Sequence, residues 1–185
     1  QWFVVPPPSH LQSVFGSNKF IGIQILFDDD HLKQKIAVER KTGRVELFVF
    51  GPADPIKGRV FLTLFDKRKP FMHNGIRIVL SALFETVGNP RPQVLLETSM
   101  ELCPPTTMAT EKQMFPFHFQ PLNQFDTYNG TSLRLRYLLT VEVMTKSRPI
   151  TSTEEFAVVI PRAPASVAAL NRRIIVDQSL QVDLA

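Results

Sequence analysis

From Leu133 to Thr145 the chain alternates: Leu133, Leu135, Tyr137, Leu139, Val141 and Val143 share one side, and Arg134, Arg136, Thr140 and Glu142 the other. An extended backbone sends successive side chains to opposite faces, so this pattern dictates a strand with one dry face and one wet face. A slip of one residue would bury two arginines, so the pattern fixes the pairing register as well. The stretch from Ile76 to Glu85 behaves alike. Ile76, Ile78, Leu80, Ala82 and Phe84 point one way, while Arg77, Val79, Ser81, Leu83 and Glu85 point the other.

The same period of two recurs in shorter runs, which predicts further strands at Phe20 to Phe27, Lys35 to Arg40, Val45 to Phe50, Gly58 to Phe65, Val94 to Leu102, Gln113 to Phe119 and Glu155 to Ile160. Nine strands suffice for two sheets, and nothing asks for a long helix. The expected fold is therefore an all-β sandwich. Thr42-Gly43, Asn74-Gly75 and Asn129-Gly130 supply turn residues that accept positive φ. Pro52, Pro55, Pro90, Pro92, Pro104 and Pro105 lie between strands, whereas Pro116 falls inside one and demotes it to an edge or a bulge.

Residues 1–19, with Pro6, Pro7 and Pro8, read as a Pro-rich arm, and residues 20–162 as the sandwich. Residues 163–185 read as a linker followed by the first strands of a second, truncated domain, since alternation resumes at Arg172 to Asp177 and Leu180 to Leu184. The missing initiator Met and this late resumption lead us to expect a piece of a longer protein.

The core should be rich in phenylalanine, of which there are 15. No apolar run approaches the roughly 20 residues a membrane-spanning helix needs. A single cysteine, Cys103, forms no internal disulfide and fits a reducing, cytosolic compartment. A formal charge of +4 permits contact with acidic surfaces, but the basic residues are scattered except for Lys67, Arg68 and Lys69 and the pairs Arg134/Arg136 and Arg172/Arg173. That distribution lacks the basic stripe of a nucleic-acid binder, so no nucleic-acid partner is expected. Whether Lys67 to Lys69 touch lipid is left open by the sequence.

Flags of catalysis are missing. There is no G-x-S-x-G, no phosphate-cradling glycine loop and no H-E-x-x-H. His10, His31, His73 and His118 are far apart and none has a second ligand at metal spacing. Asp28, Asp29 and Asp30 lack the glycine turn and distal glutamate of a calcium loop. Cys103 has no neighbouring lysine or arginine to activate it. Phe115, Phe117 and Phe119 alternate on one face and read as core rather than as a base-stacking platform. The expectation is a protein without enzymatic activity and without a cofactor or metal.

Several segments, in order, carry a resemblance. Phe15-Gly16 precedes the strand Phe20 to Leu26; Lys57-Gly58-Arg59-Val60-Phe61-Leu62 is similar to an "S-G-K-V-N-L" strand; His73-Asn74-Gly75-Ile76-Arg77-Ile78 matches "H-x-G-I-R-I"; and Leu133-Arg134-Leu135-Arg136-Tyr137-Leu138-Leu139 resembles "V-R-L-R-Y-F-L". With Glu155 to Ile160 closing the first domain, the chain from Phe15 to Ala185 resembles the amino-terminal half of the vacuolar protein sorting-associated protein 26 family, the arrestin-like subunit of retromer. The resemblance implies a scaffold that retrieves cargo from endosomes to the Golgi and plasma membrane. Its implied partners are a vacuolar protein sorting-associated protein 35-type solenoid, a sorting nexin and cargo tails. It also implies a cytoplasmic location, peripheral on endosomal membranes, with membrane association indirect through the complex. Ile174, Ile175 and Val176 fall on the junction strand that the family uses for cargo contact. The chain departs from the family pattern in residues 1–14 and between Glu85 and Thr110.

Three other readings stand beside this one. The related arrestin-like subunit of the retriever complex shares the architecture. An extracellular immunoglobulin-like adhesion domain would also be a sandwich, glycosylated at Asn129. A jelly-roll hydrolase would need a carboxylate pair drawn from Asp126, Glu142 and Glu155.

Overall fold

The computed structural model describes residues 20–30, 32–40, 43–66, 68–86, 88–89, 91–122 and 125–160, together with the backbone of 173–177 and 180–183. The arm 1–19, the stretch 161–172, His10, His31 and Lys67 lie outside the described residues. The strands are β1 (Ile21–Phe27), β2 (Lys35–Arg40), β3 (Gly43–Phe50), β4 (Ile56–Leu64), β5 (Phe71–His73), β6 (Ile76–Thr86) and β7 (Gln93–Cys103). They continue with β8 (Thr106–Met108), β9 (Lys112–Phe119), β10 (Tyr128–Asn129), β11 (Leu133–Val143), β12 (Ile150–Val158), β13 (Arg173–Asp177) and β14 (Leu180–Asp183).

Two sheets face each other. The smaller runs β1-β4-β9; the larger runs β2-β3-β12-β11-β6-β7, with β10 added to β11. The long alternating strands are central neighbours, β6 and β11 pairing antiparallel from Ile76↔Val143 to Leu133↔Thr86. This register puts Ile78 beside Val141 and Leu80 beside Leu139, all four fully buried. Across-strand partners share a face. Arg134, Arg136 and Glu142 therefore keep to the opposite face of the sheet, as the alternation requires.

A knot of aromatic rings closes one end of the core. The Phe27 ring lies 5.6 Å from Phe48, 5.1 Å from Phe50, 6.4 Å from Phe117 and 5.8 Å from Phe156, in each case edge to face. That geometry sets the positive ring edge against the negative face. Phe117 and Phe119 are buried and Phe115 packs against the same cluster, so the alternating phenylalanines of β9 are core residues. Pro116 sits in β9 at the edge of the smaller sheet, where a missing amide leaves the ladder to β4 in place.

Three differences from the sequence reading have physical causes. The β5–β8 ribbon and β10 have two or three residues each, too few to show a period. The last strand of the sandwich starts at Ile150, not Glu155, because Ser152 and Glu154 stand opposite Val141 and Leu139 on the inner face, where an apolar residue is expected. Gly43 and Gly75 do adopt positive φ, but Gly130 does not. A Cβ on Gly130 would lie 2.5 Å from the Tyr128 ring, so it is needed for close approach and not for φ.

Glu154 consequently titrates out of the ordinary. Burial, and then the neighbouring Glu155 charge, pushes its carboxyl up to about 6. The folded state binds this proton more tightly than the unfolded chain, so Glu154 weakens folding above pH 6 and the penalty fades as pH falls toward 4.5. Glu154→Gln is expected to raise stability by about 1–2 kcal/mol at pH 7.5 and to have little effect near pH 4.5, as thermal melts at the two pH values would show. His73 has the opposite sign: burial holds its imidazole below the usual value, so its contribution is lost as pH falls below the unfolded value of 6.5.

Candidate interaction surfaces

Ile174, Ile175 and Val176, the residues that the resemblance places on a junction strand, lie on β13, which pairs antiparallel with β14. The ladder runs Arg173↔Asp183, Ile174↔Val182 and Ile175↔Gln181, then shifts so that Asp177 meets Leu180. Val176 is the extra residue at that irregularity. A bulge of this type bends the strand and leaves one residue outside the ladder.

On the outer face of the larger sheet, Arg136 on β11 ties three strands together. Its Nε and Nη2 donate to the two oxygens of Glu155 on β12 at 3.1 and 2.8 Å, and Nη1 donates to Glu85 on β6 at 3.0 Å. The hydrogen bonds to Glu155 chiefly, then to Glu85, push the Arg136 pKa further up. A two-pronged guanidinium–carboxylate pair adds geometric specificity as well as charge. Arg77 and Glu142 form a second bridge between β6 and β11 at 2.6 Å. Arg136→Met removes the bidentate partner of Glu155, whose side chain is 14% exposed. A loss of about 1–2 kcal/mol is expected, between the exposed and the buried limits; adding Glu155→Gln should recover part of it, as urea unfolding of the pair would measure.

The three carboxylates considered for a hydrolase are each engaged elsewhere. Glu142 and Glu155 hold the arginines just described, and Asp126 Oδ1 accepts the Ile160 amide. That last bond belongs to a strap. Thr127 N–H donates to the Val158 carbonyl, Val158 N–H donates to Thr127 Oγ1, both at 2.8 Å, and the buried Tyr137 hydroxyl donates to the Phe125 carbonyl. Asp28 and Asp29 pair with Arg59 and Lys57. His73 is buried, its Nδ1 accepting the Gly75 amide, while His118 is exposed on β9, so the structure does not bring these two together. Among the described residues no cluster of three metal-binding side chains forms. Burial, then Glu101, pushes the Cys103 thiol up, away from thiolate reactivity.

Among the described residues, sheet edges and loops are open to partners. β2 and β7 border the larger sheet and β1 and β9 the smaller one. An edge strand presents an unpaired row of backbone groups on which a visiting strand can be laid. β7 is 11 residues long and carries Val94 and Leu95 outward.

Two packed sheets around an apolar core define an arrestin-like sandwich. Residues 17–184 match the family described as vacuolar protein sorting-associated protein 26, and the chain belongs to that family. It is 28% identical over 134 residues to vacuolar protein sorting-associated protein 26 of Dictyostelium discoideum, covering 70% of this chain and 38% of that one. It is 30% identical over 125 residues to the 26B protein of Arabidopsis thaliana, covering 65% and 40%, and 28% identical over 132 residues to the human 26B protein, covering 69% and 38%. The chain thus spans about two fifths of the length of these relatives. Among solved structures it is similar in fold to the sporulation control protein Spo0M of Bacillus subtilis. The TM-score is 0.51 at 11% identity, covering 76% of this chain and 50% of that one.

Proposed function

We propose that this chain is part of a non-enzymatic scaffold subunit of a retromer-type complex, acting in retrieval of cargo from endosomes through protein–protein contacts. The observation that carries the reading is the family match across residues 17–184 on an arrestin-like sandwich. In this reading the protein lies in the cytoplasm, peripheral on endosomal membranes. It docks on a vacuolar protein sorting-associated protein 35-type solenoid and shares a sorting nexin and cargo tails with it, so that its membrane association is indirect. Ile174, Ile175 and Val176 contribute the cargo-facing strand. A strand with a bulge suits that role, since the bulge re-aims side chains and interrupts pairing where a peptide must be admitted.

Affinity purification of the natural full-length protein from its own cells tests this. Recovery of the solenoid subunit is expected. Replacing Ile174 and Val176 together by aspartate is expected to reduce the recovered sorting nexin and cargo while leaving the solenoid bound. Repeated recovery of no solenoid sinks the proposal, and recovery of a retriever large subunit instead would reassign the chain to that complex.

A further inference from the structure

One end of the sandwich carries a cleft that the scaffold reading does not use. It measures about 710 Å³ and is lined by Phe20, Phe71, Met72, Lys146, Arg148 and Ile150, among others. A neighbouring hollow shares Phe20, Phe71 and Met72 and adds Lys69 and Pro70. Phe20 and Met72 are 57% and 61% exposed, unusual for large apolar side chains set side by side.

Three observations bear on what fills it. The first is charge: Lys69, Lys146 and Arg148 line the two hollows and are all exposed, against Asp66, which pairs with Lys69 at 3.8 Å. Among the described residues neither Lys146 nor Arg148 makes an ion pair. The second is order. Thr145 Oγ1 donates to the Arg148 carbonyl at 2.7 Å and accepts the Ser147 amide at 3.3 Å, which closes the β11–β12 loop on itself and presents both cations from a fixed turn. The third is backbone. Among the described residues β5 pairs only with β8, and β8 contributes no residue to the lining.

We propose that this cleft binds an extended acidic peptide. The peptide adds as a strand to the free edge of β5, seats an apolar side chain on Phe20, Phe71 and Met72, and sets its carboxylates against Lys69, Lys146 and Arg148. A free strand edge asks for a second backbone, and a concave floor asks for a protruding side chain; a lipid surface supplies neither, although it would satisfy the cations. The proposal is independent of solenoid docking, so either can fail alone.

The test is fluorescence anisotropy of this chain with labelled peptides of the form acidic-acidic-apolar-any-apolar-acidic-acidic, all pairings of Leu, Val, Ile and Phe being sampled. Members of this set are expected to bind, and their counterparts with lysine in place of the acidic residues are not. Lys146→Glu combined with Arg148→Glu, and separately Met72→Asp, should each weaken the best binder by about tenfold or more. All three sites are exposed, so the variants should melt like the parent. Adjacent amides in a strand point to opposite sides, so N-methylation at one of two neighbouring central positions should abolish binding and at the other should spare it. Failure of every peptide to bind, or indifference to both sets of variants, overturns the proposal; indifference to N-methylation at both positions overturns strand addition. Sedimentation with vesicles about one third phosphatidylserine, lost in the same variants while peptides stay unbound, would assign the face to a membrane instead.

Discussion

Phe27→Ala is expected to lower the stability of the sandwich by about 3–5 kcal/mol, the range for deleting a buried aromatic ring, and so to remove much of the roughly 5–15 kcal/mol a domain has in total. Phe27 belongs to the smaller sheet, yet its ring meets Phe48 and Phe50 of β3 and Phe156 of β12 in the larger one, and Phe117 of β9 in its own. It is 4% exposed. Its removal opens a void that the neighbouring rings do not fill by rotating freely, since Phe50 and Phe156 hold each other edge to face and Phe117 packs on Phe119. Equilibrium urea unfolding followed by circular dichroism measures the loss. Phe125→Ala, which truncates an exposed ring and leaves the carbonyl that Tyr137 uses, should change stability by no more than about 0.5 kcal/mol.

Gly58→Ala is the second large effect, and it adds a methyl group instead of removing a ring. Gly58 stands between Phe27 on β1 and Phe117 on β9, and a Cβ there would lie 2.1 Å from the Leu26 carbonyl oxygen and 2.8 Å from the Phe117 ring. A ring can tilt away, but a strand carbonyl cannot move without breaking its ladder. We expect a loss of about 3 kcal/mol, at the upper end of the overpacking range. Gly22→Ala is the comparison: its Cβ would meet a side chain, the exposed Phe65 ring at 3.0 Å, and no backbone atom as near. A similar drop in melting temperature for both variants would show that backbone crowding at Gly58 is not the cause.

The sequence made the fold legible wherever one face of a strand was buried along its whole length. β6 and β11 have that property, and their observed limits differ from the expected ones by no more than two residues. The edge position of β9 was legible for another reason, since Pro116 cannot sit in the middle of a sheet. The first half of β12 was not. Ile150 to Glu154 contains Thr, Ser, Thr and Glu, and its inner face is polar at Ser152 and Glu154, so periodicity reports no strand although the backbone is fully paired with β11. The hairpin-sized β5 and β8 left no periodic trace either. β5 supplies part of the basic cleft, whose parts, Phe20, Lys69, Met72, Lys146 and Arg148, come from segments far apart in the chain. Lys67 to Lys69 stood out as a short basic run, but only folding brings Lys146 and Arg148 to the same end of the sandwich.

The strap over Val158 has a mechanical consequence. Val158 and Val159 are gripped from both flanks, by Thr127 on one side and by the Phe50 carbonyl on the other, and Asp126 holds Ile160. A pull along the axis of β12 acts across hydrogen bonds that lie perpendicular to it, and loads them together in shear instead of unzipping them singly. The carboxyl end of β12 is thus held against sliding along its own axis.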